Sequence, residues 1–188
     1  MKKTIVFLAC SLFYLASQAQ VQVGADNSFK TSLNEFSTYG WSSAINKIPS
    51  SKIFVGPNGV LVFNNNSLRE KIKNAVAFEL SAKGYKKDET KPGILVMFRV
   101  TEQPGTLTTY NGYQTIDGFD KVRTPQNVEH TKIDPGTLMI TLVDAKSDKV
   151  AWQGYASGIL KPDMINDNMK VREAVSDIFQ KFHVKAKQ

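Results

Sequence analysis

The chain has 188 residues, 41 % hydrophobic and 22 % charged, with a formal charge of +7 and one cysteine. Such a composition excludes a disordered, collagen-like or disulfide-stapled chain. The lysine surplus is scattered, with no block of five like charges and no nucleic-acid motif, so it reads as a solvated basic surface.

Met1-Lys2-Lys3 opens the chain with a positive segment, and Ile5 to Leu15 follows as an apolar run broken clearly only by Ser11. Such a run is too short for a membrane span, which needs about 20 apolar residues. Ser17-Gln18-Ala19 then places small residues where a signal peptidase reads, so residues 1–19 are expected to be a cleavable secretion signal. Cleavage after Ala19 leaves 169 residues and removes Lys2 and Lys3, taking the formal charge from +7 to +5. Cys10 follows Leu8-Ala9, a fragment of a lipoprotein acylation box, yet the apolar run continues past it to Leu15. An acylated cysteine should end that run. The expectation is therefore soluble export to the periplasm, with an outer-membrane-anchored lipoprotein or a secreted protein as the alternative. Without Cys10 the mature chain has no disulfide, and its stability must come from a core.

Residues 20–35 are polar and weakly patterned, an extended lead-in. Phe36 to Trp41 has strand-type residues. From Ile53 to Phe63 two β-rich runs flank Pro57-Asn58-Gly59, and Asn-Gly supplies the positive φ of a tight hairpin turn. Ser67-Leu68-Arg69-Glu70 has capping-box spacing. Leu68, Ile72, Ala75, Val76 and Leu80 then recur at helical spacing, and Gly84 suits the left-handed residue after a helix. The pattern predicts a helix from about Leu68 to Lys83. Ile94 to Phe98 is a continuous apolar run, read as a strand covered on both faces. Thr101 to Pro135 lacks a clear pattern, although Val122 to Ile133 has room for a poorly patterned strand.

Thr137 to Val143 predicts a strong strand, 144–149 a turn, and Val150 to Ala156 the returning strand around Trp152. Val171, Ala174, Val175, Ile178 and Phe182 mark a last helix, and the basic tail 183–188 is expected to fray. Two amphipathic helices each need a sheet face to cover. The predicted class is α+β: a largely antiparallel twisted sheet with both helices packed on one face, a two-layer sandwich over one domain, residues 36–182.

No catalytic, cofactor-binding or metal set emerges. Glu129-His130 with Asp134 could offer three ligands, but no paired histidine or cysteine spacing supports them. Asp117 and Asp120 flank Gly118-Phe119, a pattern of turn chemistry more than of a glycosidase carboxylate pair. Asp144 ends an apolar strand and reads as a turn former. There is no Gly-x-Ser-x-Gly elbow and no phosphate-binding glycine loop. Tyr110, Tyr113 and Phe119 stand apart, because they lie among small polar residues. Rings so placed give contact area at low entropic cost, which makes this loop the candidate for partner binding.

Several landmarks coincide in order. They are Phe36-x-x-Tyr39-x-Trp41, the helix ending Leu80-x-x-Lys83-Gly84-Tyr85, and the strand Ile94 to Phe98. Gly136-Thr137-Leu138-x-Ile140-x-Leu142-Val143-Asp144 and Trp152-x-Gly154-x-Ala156 follow, then Ala174-Val175-x-x-Ile178-Phe179-x-x-Phe182. From Phe36 to Phe182 this resembles the family named "domain of unknown function 4136", mostly envelope proteins of lipoprotein type. The resemblance implies an α/β sandwich and an envelope address, and no activity. The chain departs from the pattern at Cys10, which sits badly for acylation. It departs again at His183, where the family typically has proline. The functional expectation is a non-enzymatic binding or accessory module for a protein or glycan partner, with no cofactor and no nucleic acid. An envelope hydrolase using the loop carboxylates and a small-ligand carrier are the alternatives.

Overall fold

The computed structural model describes residues 21–26, 32–43, 53–56, 59–62, 66–101, 103–110, 113–114, 128–161 and 167–187. Of these, 26, 53–56, 59–62, 108–110, 113–114 and 128–129 are described by backbone alone. The expected signal sequence, Cys10 and the cleavage site lie outside the described residues.

Apolar residues with a period of two build the main sheet. Along β6 (Ile94–Val100), Ile94, Val96, Phe98 and Val100 are buried, while Leu95 and Met97 are half-buried and Arg99 is exposed. β10 (Leu138–Asp144) and β11 (Val150–Ala156) form the expected hairpin and carry buried residues on both faces. The run at Ile94 to Phe98 is thus covered fully on one face only, and β10 takes the doubly covered place. A continuous apolar run does not by itself tell these two situations apart.

β1 (Val23–Asp26), from the extended lead-in, pairs antiparallel with β11 and forms one edge. β2 (Thr38–Trp41) runs parallel to β6 and to the two-residue β5 (Lys86–Lys87). The order is β1-β11-β10-β6-β2-β5. Parallel neighbours need a crossover, and α1 (Asn66–Ala82) lies between β2 and β6 in sequence to supply it. β3 (Ile53–Gly56) and β4 (Gly59–Val62) make the expected hairpin. Gly56 pairs with Gly59, so the link is Pro57-Asn58 and Gly59 already belongs to a strand.

α1 starts at Asn66, which puts Ser67 inside the first turn instead of at the cap. Glu70 accepts from Lys73 instead of reaching back to Ser67. The other end is as expected. Gly84 has φ +91°, Gly84 N–H donates to Ser81 O (2.9 Å), and Tyr85 N–H donates to Leu80 O (3.0 Å). α2 (Asn168–Phe179) is capped by Asp167, whose carboxylate accepts from the amides of Met169 and Lys170.

Both helices cover one face of the sheet, giving the expected α+β sandwich. Leu68, Ile72, Val76 and Leu80 of α1 and Val171, Val175 and Ile178 of α2 join Val96, Ile140 and Trp152 in one core. Phe182 packs against Trp152, Phe179 and Tyr85. The opposite face meets a ribbon of β7 (Gly105–Tyr110), β8 (Tyr113–Gln114) and β9 (Val128–Ile133), within the stretch that lacked a pattern. Leu107 and Ile133 of the ribbon bury Met139 and Tyr155.

The basic tail does not fray. Ala186 N–H donates to Lys83 O and Lys187 N–H to Phe36 O, both at 2.9 Å.

Candidate functional site: a polar cleft beside Trp41

Residues on α1 that sequence periodicity leaves off the core stripe share a second stripe. Glu70, Lys73, Asn74 and Ala77 stand at i, i+3, i+4 and i+7, which places them on one flank of the helix. That flank faces the end of β2 and the segment after β5. Between them lies an open cleft of about 570 Å³, with Trp41, Ser42 and Ser43 at the strand end and Lys87 and Glu89 opposite α1.

Trp41 is half-buried. Its ring stands edge-on to Tyr39 (6.1 Å between centroids) and Phe98 (6.3 Å), which fixes the indole against the core while it lines the cleft. Ser42 N–H donates to Val96 O at 3.0 Å and continues the parallel pairing to the cleft edge. Glu89 is held twice: one carboxylate oxygen accepts from the Trp41 amide (3.1 Å), and the other faces Lys87 Nζ (3.1 Å). Glu70 and Lys73 form a second ion pair at 2.9 Å. Tyr39, behind the cleft, has its phenol pushed above the ordinary value by burial and then by the Glu89 carboxylate. Asp88 holds the turn after β5: its Oδ1 accepts from the amides of Thr90 and Lys91, and these bonds pull its carboxyl below the usual range.

The cleft offers an aromatic wall, an amide, two hydroxyls and two local ion pairs. It is equipped to hold a polar ligand. The general acid of a glycosidase needs a carboxyl in an apolar pocket, whereas Glu70 and Glu89 are open to solvent and engaged by lysines.

The sequence-predicted residues lie elsewhere. Tyr110 ends β7 and pairs in register with Tyr113 of β8 and Val128 of β9, so both tyrosines belong to the ribbon. Their side chains, and all of Phe119, Asp117 and Asp120, lie outside the described residues. Glu129 and His130 are successive residues of β9, and Glu129 is described by its backbone alone. Asp134 follows that strand and works in a backbone knot: its carbonyl accepts from Thr137, and its amide donates to Ser157 Oγ. Among the described residues no three His, Cys, Asp or Glu side chains gather as a metal site. Asp144 is a turn former: its carboxylate accepts from Ser147 Oγ (2.6 Å) and the Lys146 amide (2.9 Å). The space between sheet and helices, where a carrier would hold its ligand, is filled by Trp152, Phe179, Phe182, Leu68 and Leu80.

Sequence reasoning missed the cleft. It read Trp41 as the end of a strand and Glu70 as part of a capping box. The polar residues at i, i+3 and i+4, Glu70, Lys73 and Asn74, were the available signal, but what faces them depends on the pairing of β2 with β5.

The fold and these landmarks agree with the model of the family described as "Domain of unknown function (DUF4136)", which matches residues 22–182. The chain belongs to this family. No curated protein matches it. Among solved structures, this DUF4136 chain is similar to a DUF4136 family protein from Bacteroides thetaiotaomicron VPI-5482. The identity is 14 %, with 86 % of this chain and 95 % of that one covered, and the TM-score is 0.48. It is also similar to a PDZ domain protein from Parabacteroides distasonis ATCC 8503. There the identity is 17 %, 87 % of this chain is covered against 36 % of that one, and the TM-score is 0.42.

Proposed function

We propose that this DUF4136 chain is an exported binding module of the bacterial envelope that holds a glycan partner without altering it chemically. The signal-like residues 1–19 support the address. The observation that carries the binding role is the Trp41 cleft, where an indole locked edge-on by Tyr39 and Phe98 stands beside hydroxyl, amide and carboxylate groups. A flat ring satisfies the apolar face of a sugar, and fixed polar groups around it satisfy the hydroxyls. Preorganisation of the ring lowers the cost of binding.

The test is titration of the mature protein with N-acetylglucosamine oligomers, followed by tryptophan fluorescence and calorimetry. The chain has two tryptophans, and Trp152 is buried, so a ligand-dependent change reports on Trp41. Saturable binding that Trp41→Ala abolishes with an unchanged circular dichroism spectrum is the expected result. Binding that survives Trp41→Ala would remove the cleft from the argument.

The ribbon supports a second contact surface. Register brings Tyr110 and Tyr113 opposite each other where β7 turns into β8. Exchange broadening of the Tyr110, Tyr113 and Phe119 resonances on addition of the same oligomers, with the cleft resonances unmoved, would favour that surface instead.

A further inference from the structure

Each wall of the Trp41 cleft carries both signs of charge. On α1, Lys73 and Glu70 pair one turn apart at 2.9 Å, and on the opposite wall Lys87 and Glu89 pair two residues apart at 3.1 Å. Local, solvent-touched pairs of this kind are weak, so any of the four groups can exchange its neighbour for a ligand group at little cost. Two of them are also directed. Lys73 is only 22 % exposed, and Glu89 is tied to the Trp41 amide beside the indole. A ligand with charge of one sign meets a repelling group on either wall. A ligand with both signs meets a complement on each wall, and specificity of this kind is set as much by repulsion as by attraction.

We propose that the cleft selects a glycan that carries both a free ammonium and a free carboxylate, as a peptide-bearing glycan strand does. The sugar lies against Trp41 and the peptide charges lie between the two walls. This inference rests on the glycan reading above and names the class of ligand.

The probe is a disaccharide of N-acetylglucosamine and N-acetylmuramic acid bearing an Ala-Glu-Lys peptide. Its first comparison compound has the amine acetylated and the carboxylates amidated; a second has only the carboxylates amidated. Calorimetry on the mature protein is expected to show the uncapped probe binding about tenfold tighter than either capped form. Lys73→Gln with Glu89→Gln is expected to cut that preference to about threefold or less, as is raised salt. Both side chains reach solvent, and glutamine at 89 keeps an acceptor for the Trp41 amide, so the fold is expected to survive. Equal affinity for capped and uncapped forms would overturn the inference and leave the glycan reading standing. A carboxylate-amidated form that binds as tightly as the zwitterion would also overturn it. Failure of every form to bind at millimolar concentration would overturn both readings.

Discussion

The Tyr85 hydroxyl donates to the Leu33 carbonyl at 3.0 Å, joining the end of α1 to the lead-in 52 residues earlier in the chain. Both residues are buried. Tyr85→Phe removes one of two donors to this carbonyl, which still accepts from the Phe36 amide at 3.2 Å, at an expected cost of about 0.5–1.5 kcal/mol in urea unfolding. Burial also pushes the Tyr85 phenol up to about 12 from its ordinary 10.0. The unfolded chain therefore loses this proton first as pH rises, so the contribution is complete below pH 10.0 and declines toward about 12. Wild type is expected to lose stability over that window by more than Tyr85→Phe does. Parallel pH profiles for the two proteins would contradict the assignment.

The docked tail makes a second prediction. Deleting residues 183–188 removes the bonds from Ala186 to Lys83 and from Lys187 to Phe36. Each is worth about 1 kcal/mol, so truncation after Phe182 is expected to lower stability by about 1–2 kcal/mol. A truncated chain as stable as the full one in guanidinium unfolding would show that the tail contributes nothing. Phe182→Ala removes the ring itself and is expected to cost about 3–5 kcal/mol.

Gly154 gives a third. A Cβ there would sit against the Trp152 ring and 2.7 Å from Ile178 Cγ2, so the absent side chain is what lets α2 and the indole close on the sheet. Gly154→Ala is expected to destabilise by about 1–3 kcal/mol through overpacking, read as a lowered unfolding midpoint with an unchanged slope. An unshifted midpoint would mean the indole moves freely.

The β10–β11 turn gives a fourth, with a pH signature. The Ser147 hydroxyl, then the Lys146 amide, hold the Asp144 carboxyl below its ordinary 3.8. A lowered folded value means stability that is present above 3.8 and lost as pH falls through the folded value. Asp144→Ala is expected to cost about 1 kcal/mol or less at neutral pH, because water screens the carboxylate. The difference from wild type should narrow as pH falls below 3.8. A penalty that stays constant through that fall would place its origin outside the carboxylate.

Much of this fold could be read directly from the chain. The two helices, the Gly84 ending, the β3–β4 hairpin, the β10–β11 hairpin and the turn at Asp144 all follow from local rules. Helical stripes, a residue of positive φ and turn side chains act over a few residues, so their pattern is complete in the sequence itself. The shared burial of both helices on one sheet face follows almost as directly, since each apolar stripe needs a sheet face to cover.

The tertiary structure alone decided which strands distant in the chain are neighbours. The pairing of β2 beside β5 and β6, the addition of β1 at the β11 edge and the docking of the tail on Lys83 and Phe36 join segments tens of residues apart. Backbone hydrogen bonds carry no side-chain signature, so composition and periodicity say nothing about those partners. The Trp41 cleft is a product of that pairing. Its walls come from α1 and from β5 with the chain just after it, and neither wall is a site until β2 is paired between β6 and β5.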